Sequence, residues 1–347
     1  MKGKKFFVML RFVLVISLLA VALSYVYSAE AAESKVYRWK LSTYGTPSDW
    51  EFLGIKYLCD KVKEMSGGRL ILKPFPVGQL YPPTDVVAGV SKRLSEMAVT
   101  VGAYLTGVHP AFGIHCCFPG GPIENFYQEM ILVQHPAWKK VTEKLYGPKI
   151  HHIAYGVNPP TALLSTRKIN TIDDFKGLLI RSASPRDRMF VALGAKPTYI
   201  ATPEIYTALQ LGTIEAVDKG NYVTVYGLRL HEVAKYMVEP QFACPPSAMD
   251  YIANKESWDS LPPDLQAILR EAVISQAVHF YTEGTRQGFE ARQKMIDAGL
   301  EVNTIGPEGM KEIYAKAREV WEKIASENEQ SAELLKVYLD TLKGVGY

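Results

Sequence analysis

The chain has 347 residues, 48% of them hydrophobic and 22% charged, with a formal net charge of +3. That length is enough for two domains that each bury a core, and the composition is that of a globular chain rather than a disordered or fibrous one. Residues 1–31 carry a net +3 by themselves (Lys2, Lys4, Lys5 and Arg11 against Glu30), so the remainder is neutral and has no nucleic-acid footprint.

In that first segment the lysines precede an apolar stretch from Phe6 to Tyr27, and Ala29-Glu30-Ala31 supplies small residues. The pattern predicts a signal peptide over 1–31, cleaved after Ala31, and therefore an exported protein. The alternative is an uncleaved anchor, because the apolar stretch is long for a signal segment. The first cysteine is Cys59, so no lipid-attachment cysteine stands at the junction.

Tyr37 to Ser42 alternates as a strand. Asp49 to Ser66 has helical periodicity, with Ser48 or Asp49 as N-cap, and Gly67-Gly68 stops it. A second strand (Arg69 to Pro74), a short helix from Pro82 to Arg93 and a third strand (Met97 to Val101) complete a parallel α/β pattern with right-handed crossovers. The loops after these strands carry Tyr44, Trp50 and Tyr104, which can cover an apolar ligand body or serve equally as core aromatics. Gln128 to Leu145 reads as a helix and His151 to Gly156 as a strand. Adjacent histidines on a strand face opposite sides, so His151 and His152 do not share a metal ion. The chain enters a second domain near Val157, followed at once by Asn158-Pro159-Pro160-Thr161.

The central stretch runs from Lys168 to Tyr222. A polar turn, Asn170 to Gly177, leads into the short buried strand Leu178-Leu179-Ile180, and Arg181 is its last residue. Ser182-Ala183-Ser184-Pro185 cannot continue a strand and suits a helix start. A guanidinium at the carboxyl end of such a strand points into the crevice where α/β folds hold ligands, and its fork of donors matches a carboxylate. The competing reading is an arginine in a structural ion pair. Arg186 to Leu193 makes a helix, Lys196 to Ile200 a strand, and Thr202-Pro203-Glu204 opens a helix closed by Gly212. Lys219 ends the next strand, and Asn221 and Tyr222 begin another helix. A cation at Lys219 suits a second anionic group on a ligand, or else pairs with Asp218 or a neighbouring acid.

Lys235 to Glu239 and Ala248 to Asn254 are strands, the second returning to the first domain. A helical run from Ser260 to about Ala298 would be roughly 50 Å long, enough to lie across both domains, and Pro307 to Lys343 supplies closing helices. No nucleotide loop, zinc-protease motif or nucleophile elbow occurs. Four cysteines, Cys59, Cys116, Cys117 and Cys244, match no metal spacing; they are free thiols, or Cys116 or Cys117 bridges Cys244.

The pattern Thr171 to Arg181, then Leu193-Gly194-Ala195-Lys196-Pro197, then Glu204 to Ala216, resembles the solute-binding subunits of tripartite ATP-independent periplasmic (TRAP) transporters, of the C4-dicarboxylate-binding type. The likeness extends more loosely from about Val36 to the C-terminus. It implies a two-domain, periplasmic-binding-protein-like (Venus-flytrap) α/β fold with a long helix spanning both domains. The expected division is 32–156 with 248–285 as domain I, and 157–247 with 286–347 as domain II. It further implies a periplasmic receptor that clamps a substrate carboxylate on Arg181 and serves TRAP permease subunits, as a monomer or homodimer, with no cofactor and no nucleic acid. Lys219 stands where relatives place another ligand-facing residue. The candidate ligand contacts are Arg181, Lys219, Asn158, Thr161, Tyr44, Trp50, Tyr104, Ser184 and Tyr222. The sialic-acid branch has a second arginine where Thr161 stands, and the α-keto-acid branch a glutamine at Pro160, so neither ligand carries over. Relatives that hold sodium use a glutamate between positions 241 and 247; this chain has none there, and no metal is expected. The expected ligand is a dicarboxylate or an aromatic carboxylate. Arginine, lysine, asparagine, threonine and tyrosine hold anions well and transfer protons poorly near neutral pH. That favours a receptor over the alternative, a secreted lyase or hydrolase acting on an anionic small molecule.

Overall fold

The computed structural model describes residues 35–47 and 49–347; the expected signal segment, its cleavage after Ala31 and a cap at Ser48 lie outside the described residues. Two mixed sheets organise the body from Arg38 to Tyr347. The first is built from β1 (Tyr37–Ser42), β2 (Leu70–Phe75), β3 (Met97–Thr100), β4 (Ile150–Asn158) and β10 (Ser247–Asn254), in the order β2-β1-β3-β10-β4. β1 and β3 are parallel, whereas the returning strand β10 runs antiparallel to both β3 and β4. The second sheet holds β5 (Ala162–Ser165), β6 (Leu179–Arg181), β7 (Lys196–Thr198), β8 (Ala216–Lys219), β9 (Tyr236–Glu239) and β11 (Glu301–Thr304), in the order β11-β9-β5-β8-β6-β7.

Helix α1 (Trp50–Met65) buries Phe52, Ile55, Leu58 and Val62 at the three-to-four spacing of one helical face, and Trp50 at its start. Gly67 and Gly68, at φ +58° and +79°, end it with left-handed backbone; their amides bond the carbonyls of Glu64 and Lys63. The region from Pro82 to Arg93 is one turn of 3₁₀ helix followed by α2 (Val86–Ser91). After the short α3 (Phe112–Cys116), the expected single helix over 128–145 is two, α4 (Phe126–Gln134) and α5 (Pro136–Tyr146). The break falls at His135, whose ψ of 132° is the extended backbone that a following proline imposes.

On the second-sheet side lie α6 (Arg186–Ala192), α7 (Ile205–Gln210) and α8 (Tyr222–Gly227). After α9 (Lys255–Asp259), the 35-residue α10 (Pro263–Asp297) packs against β4 and α1 at one end and α8 at the other. It therefore touches both sheets' layers, as a spanning helix must. Arg292 on it makes a two-pronged contact with Glu239, Nε to Oε1 at 2.6 Å and Nη2 to Oε2 at 3.0 Å, which pins its far end to β9. The closing helices are α11 (Pro307–Ala325) and α12 (Glu329–Gly344). The segment 286–347, expected with the second domain, divides in its packing. β11 joins the second sheet, but Tyr338 of α12 stacks on Phe118 at 3.6 Å, and α12 lies against α3, α4 and α5.

Two strands, β5 and β11, had no clear signal in the sequence. Ala162-Leu163-Leu164-Ser165 is short and wholly buried, so it shows no alternation. Glu301-Val302-Asn303-Thr304 is an edge strand whose place is set by pairing with β9.

Candidate functional site

The parallel strands β6 and β8 end together in the second sheet, with Arg181 opposite Val217 and Lys219 two residues beyond. In the first sheet β1 and β3 end at Ser42 and Thr100 and are followed by Tyr44 and Tyr104. β4 leaves and β10 enters the first sheet at this same end, where Ser247 pairs with Asn158. Between these ends is a cavity of about 730 Å³, counting its open mouth. Arg181, Lys219, Asn158, Thr161, Tyr44, Trp50 and Tyr104, each anticipated from the sequence, all line it.

Two of the anticipated residues do not. Ser184 lies outside the lining, in the turn before α6. Tyr222 has its ring in the second hydrophobic core and donates its hydroxyl to Glu239 Oε1 at 2.7 Å, because the helix start at Asn221 turns it toward α10.

Arg181 is 4% exposed. Its Nε donates to the carbonyl of Ile200 at 3.1 Å and its Nη1 to the carbonyl of Asp218 at 3.0 Å. Tyr199 lies over the guanidinium at 5.3 Å. Two neutral carbonyls and a ring face fix the orientation without neutralising the charge, and no acid forms an ion pair with Arg181 among the described residues. Burial, then the neighbouring Arg186, pull its pKa below the ordinary arginine value. A carboxylate guest would relieve both effects.

The acid behind the two arginines is already engaged. Asp218, fully buried, accepts from Thr161 Oγ1 at 2.6 Å, Ser182 Oγ at 3.0 Å and Arg186 Nε. Burial works against the Arg186 charge, but Asp218 raises its pKa well above the usual value. With its oxygens taken, Asp218 leaves Lys219 free of any close ion pair among the described residues.

Arg186 and Glu51 are the charged lining residues that sequence reading missed. Arg186 opens a short amphipathic helix and is tied to an acid 32 residues away, so nothing local marks it. Glu51 sits in the first turn of α1, where an acid is ordinarily read as a response to the helix dipole. Burial pushes its carboxyl up, with Lys219 working in the other direction. Tyr44 donates to Asn158 Oδ1 at 3.0 Å and lies near Tyr104, ring centroids 6.1 Å apart. The indole Nε1 of Trp50 is buried with no partner among the described residues.

All four cysteines are free, and Cys116 and Cys244 reach the cavity wall. A hydrogen bond from Cys117 holds the Cys244 thiol down to about 7, burial opposing it and Arg186 assisting. The two histidines of β4 take different neighbours: His151 stacks on Trp258 at 4.1 Å, and His152 Nε2 lies 3.0 Å from Asp250 Oδ1.

A charged cavity thus lies between two α/β sheets crossed by one long helix. The sequence profile of the bacterial extracellular solute-binding proteins, family 7, matches residues 41–328. The chain belongs to that family, the TRAP solute receptors. It is 24% identical over 294 residues to a monocarboxylate 2-oxoacid-binding periplasmic protein of a Nostoc species, covering 84% of this chain and 80% of the relative. It is 27% identical over 195 residues to the C4-dicarboxylate-binding periplasmic protein of Rhodobacter capsulatus, 56% of each chain. Among solved structures, a TRAP solute-binding protein from Colwellia psychrerythraea with bound calcium and pyruvate superposes with a TM-score of 0.79 at 24% identity, covering 90% of this chain and 95% of that one. The segment from Gln241 to Ser247 of this family member offers no carboxylate to a cation, and Gln241 Nε2 instead donates to the carbonyl of Pro160 at 3.1 Å.

Proposed function

We propose that this receptor binds an organic acid between its two lobes, its carboxylate clamped by Arg181, and delivers it to a TRAP membrane permease. The observation that carries the reading is a buried guanidinium lining the cavity, held by two backbone carbonyls and paired with no protein acid among the described residues. Its remaining Nη2 donors are the natural partners of a guest carboxylate, and loss of water around them strengthens the bonds. Lys219 supplies a second cation, and Tyr44, Trp50 and Tyr104 supply aromatic surface, which suits a dicarboxylate or an aromatic carboxylate.

The lobes are divided near 156 and 248, and the chain passes between them at Pro159 to Thr161, at Pro240 to Pro246, along α10, and again from α11 to α12. The Thr161 amide donates to the Cys244 carbonyl at 3.0 Å, so the two extended connections move as a pair. Closure about them would bury the acid and change the surface offered to the permease.

The test is thermal-shift screening against a library of organic acids, followed by calorimetry on the hits. Arg181→Ala should lower affinity about 100-fold or more, the cost of removing one partner of a buried charge pair, and leave the unliganded melting temperature within a few degrees. Affinity that survives the change disproves the clamp. Turnover of a stabilising acid by the purified protein would favour the rival reading, a secreted enzyme.

A further inference from the structure

Glu51 is out of place in a site built for an anion. It lines the same cavity as Arg181 and Lys219, yet its Oε2 is buried and has no hydrogen-bond partner among the described residues. A buried carboxylate oxygen left unpaired has lost its water without gaining a partner, a net cost to the fold. Lys219 is near enough to influence the acid but forms no close ion pair with it, and Asp49 and Tyr44 are its other charged or titratable neighbours. A second small recess behind the cavity contains Glu51 together with Gln276, whose Nε2 is likewise unpartnered. Neither Lys219 nor Gln276 quenches the oxygen in this arrangement.

Glu51 lines the cavity, and in its ionised form the unpaired oxygen can only accept, so from the cavity only a donor satisfies it. We propose that Glu51 is a specificity-determining residue: the acid taken by this receptor carries, besides the carboxylate held by Arg181, a hydroxyl or N–H group that donates to Glu51 Oε2. The inference rests on the reading of Arg181 as the carboxylate clamp. With Glu51 ionised beside Lys219, it excludes ligands that offer only oxygen acceptors there, because two acceptors face to face are both desolvated and unpaired. Simple 2-oxo acids and unsubstituted dicarboxylates are therefore poor guests, in contrast to the 2-oxoacid-binding relative.

The experiment uses matched acids that differ in one group. Lactate, alanine and pyruvate share a skeleton with hydroxyl, amino and oxo substituents; malate, aspartate and oxaloacetate do so for a dicarboxylate, and mandelate, phenylglycine and phenylglyoxylate for an aromatic acid. Calorimetry on the full receptor should show, within the skeleton that binds best, a hydroxyl or amino member at least about tenfold tighter than its oxo member. Whichever of the two is tighter tells a neutral donor from a charged one. Glu51→Gln, whose amide can donate as well as accept, should bring that ratio within about threefold while keeping the fold, and Glu51→Ala serves as a second variant. An oxo member that binds the wild type as tightly, or a ratio unchanged in both variants, overturns the proposal. Arg181→Ala separates the two ideas. Loss of all three members with an unaltered Glu51 ratio sinks only the role of Glu51, whereas retained binding in Arg181→Ala sinks the clamp.

Discussion

Asp218 holds both arginines of the cavity in place. Its side chain takes Thr161, Ser182 and Arg186, and its backbone carbonyl takes Arg181, so one residue positions both arginines by different atoms. Removing the carboxylate would strand Arg186, whose side chain is 11% exposed, without a counter-charge. We expect Asp218→Ala to destabilise the protein by about 3–5 kcal/mol, as breaking a buried pair from one side does. Asp218→Ala combined with Arg186→Ala should cost less than the sum of the two single changes, which urea denaturation of the four proteins would measure. Additive losses would mean that the pair is not coupled. Arg181, by contrast, keeps its carbonyl partners in the single variant, because the backbone oxygen remains.

At the scale of elements, α10 carries glycines at two positions with opposite consequences. A Cβ on Gly284 would fall 2.6 Å from Trp50 Nε1 and 3.4 Å from Pro159, so this glycine lets the indole sit in the cavity wall. At Gly288 the nearest atoms, on Tyr222, are 3.9 and 4.0 Å away, an ordinary contact. Gly288→Ala should therefore gain the helix-propensity difference, about 0.5–1 kcal/mol, with ligand affinity unchanged. Gly284→Ala gains the same propensity but displaces Trp50, for which overpacking costs about 1–3 kcal/mol. It should lower ligand affinity by about fivefold or more. Melting curves and calorimetry on the two variants check this, and equal affinities would show that Trp50 takes no part in binding.

For the whole molecule, acid stability is set in part by a histidine far from the guanidinium. Burial, and then Arg270, hold the His151 imidazole down to about 4, against about 6.5 in an unfolded chain. The folded state therefore refuses a proton that the unfolded state accepts. The contribution of His151 is complete above about pH 6.5 and is lost as the pH falls toward about 4. His151→Phe, which keeps a ring against Trp258, should flatten the decline in melting temperature across that window. An unchanged pH profile would remove His151 from the account. The proposed closure is tested at the same scale: small-angle scattering should show a smaller radius of gyration with a bound acid in the wild type and no change in Arg181→Ala.

The chain's local physics declared a good deal of this protein. Arg181 was legible because a short apolar strand bounded by Gly177 and Pro185 leaves its last side chain at the strand's carboxyl end, and the 3.6-residue period announced α1 and α10. The aromatic residues after β1 and β3 were legible as cavity candidates for the same reason, since strand ends fix where loops emerge. What tertiary structure alone decided were partnerships across long separations. Whether Asp218 would pair with Lys219 or with Arg186, whether Tyr222 would face the ligand space or Glu239, and whether Glu51 would meet solvent or a cavity all depend on which elements pack together. Backbone preferences act over a few residues, whereas a buried charge is satisfied by whatever the fold brings within about 3 Å of it, and that geometry is written in no single stretch of sequence.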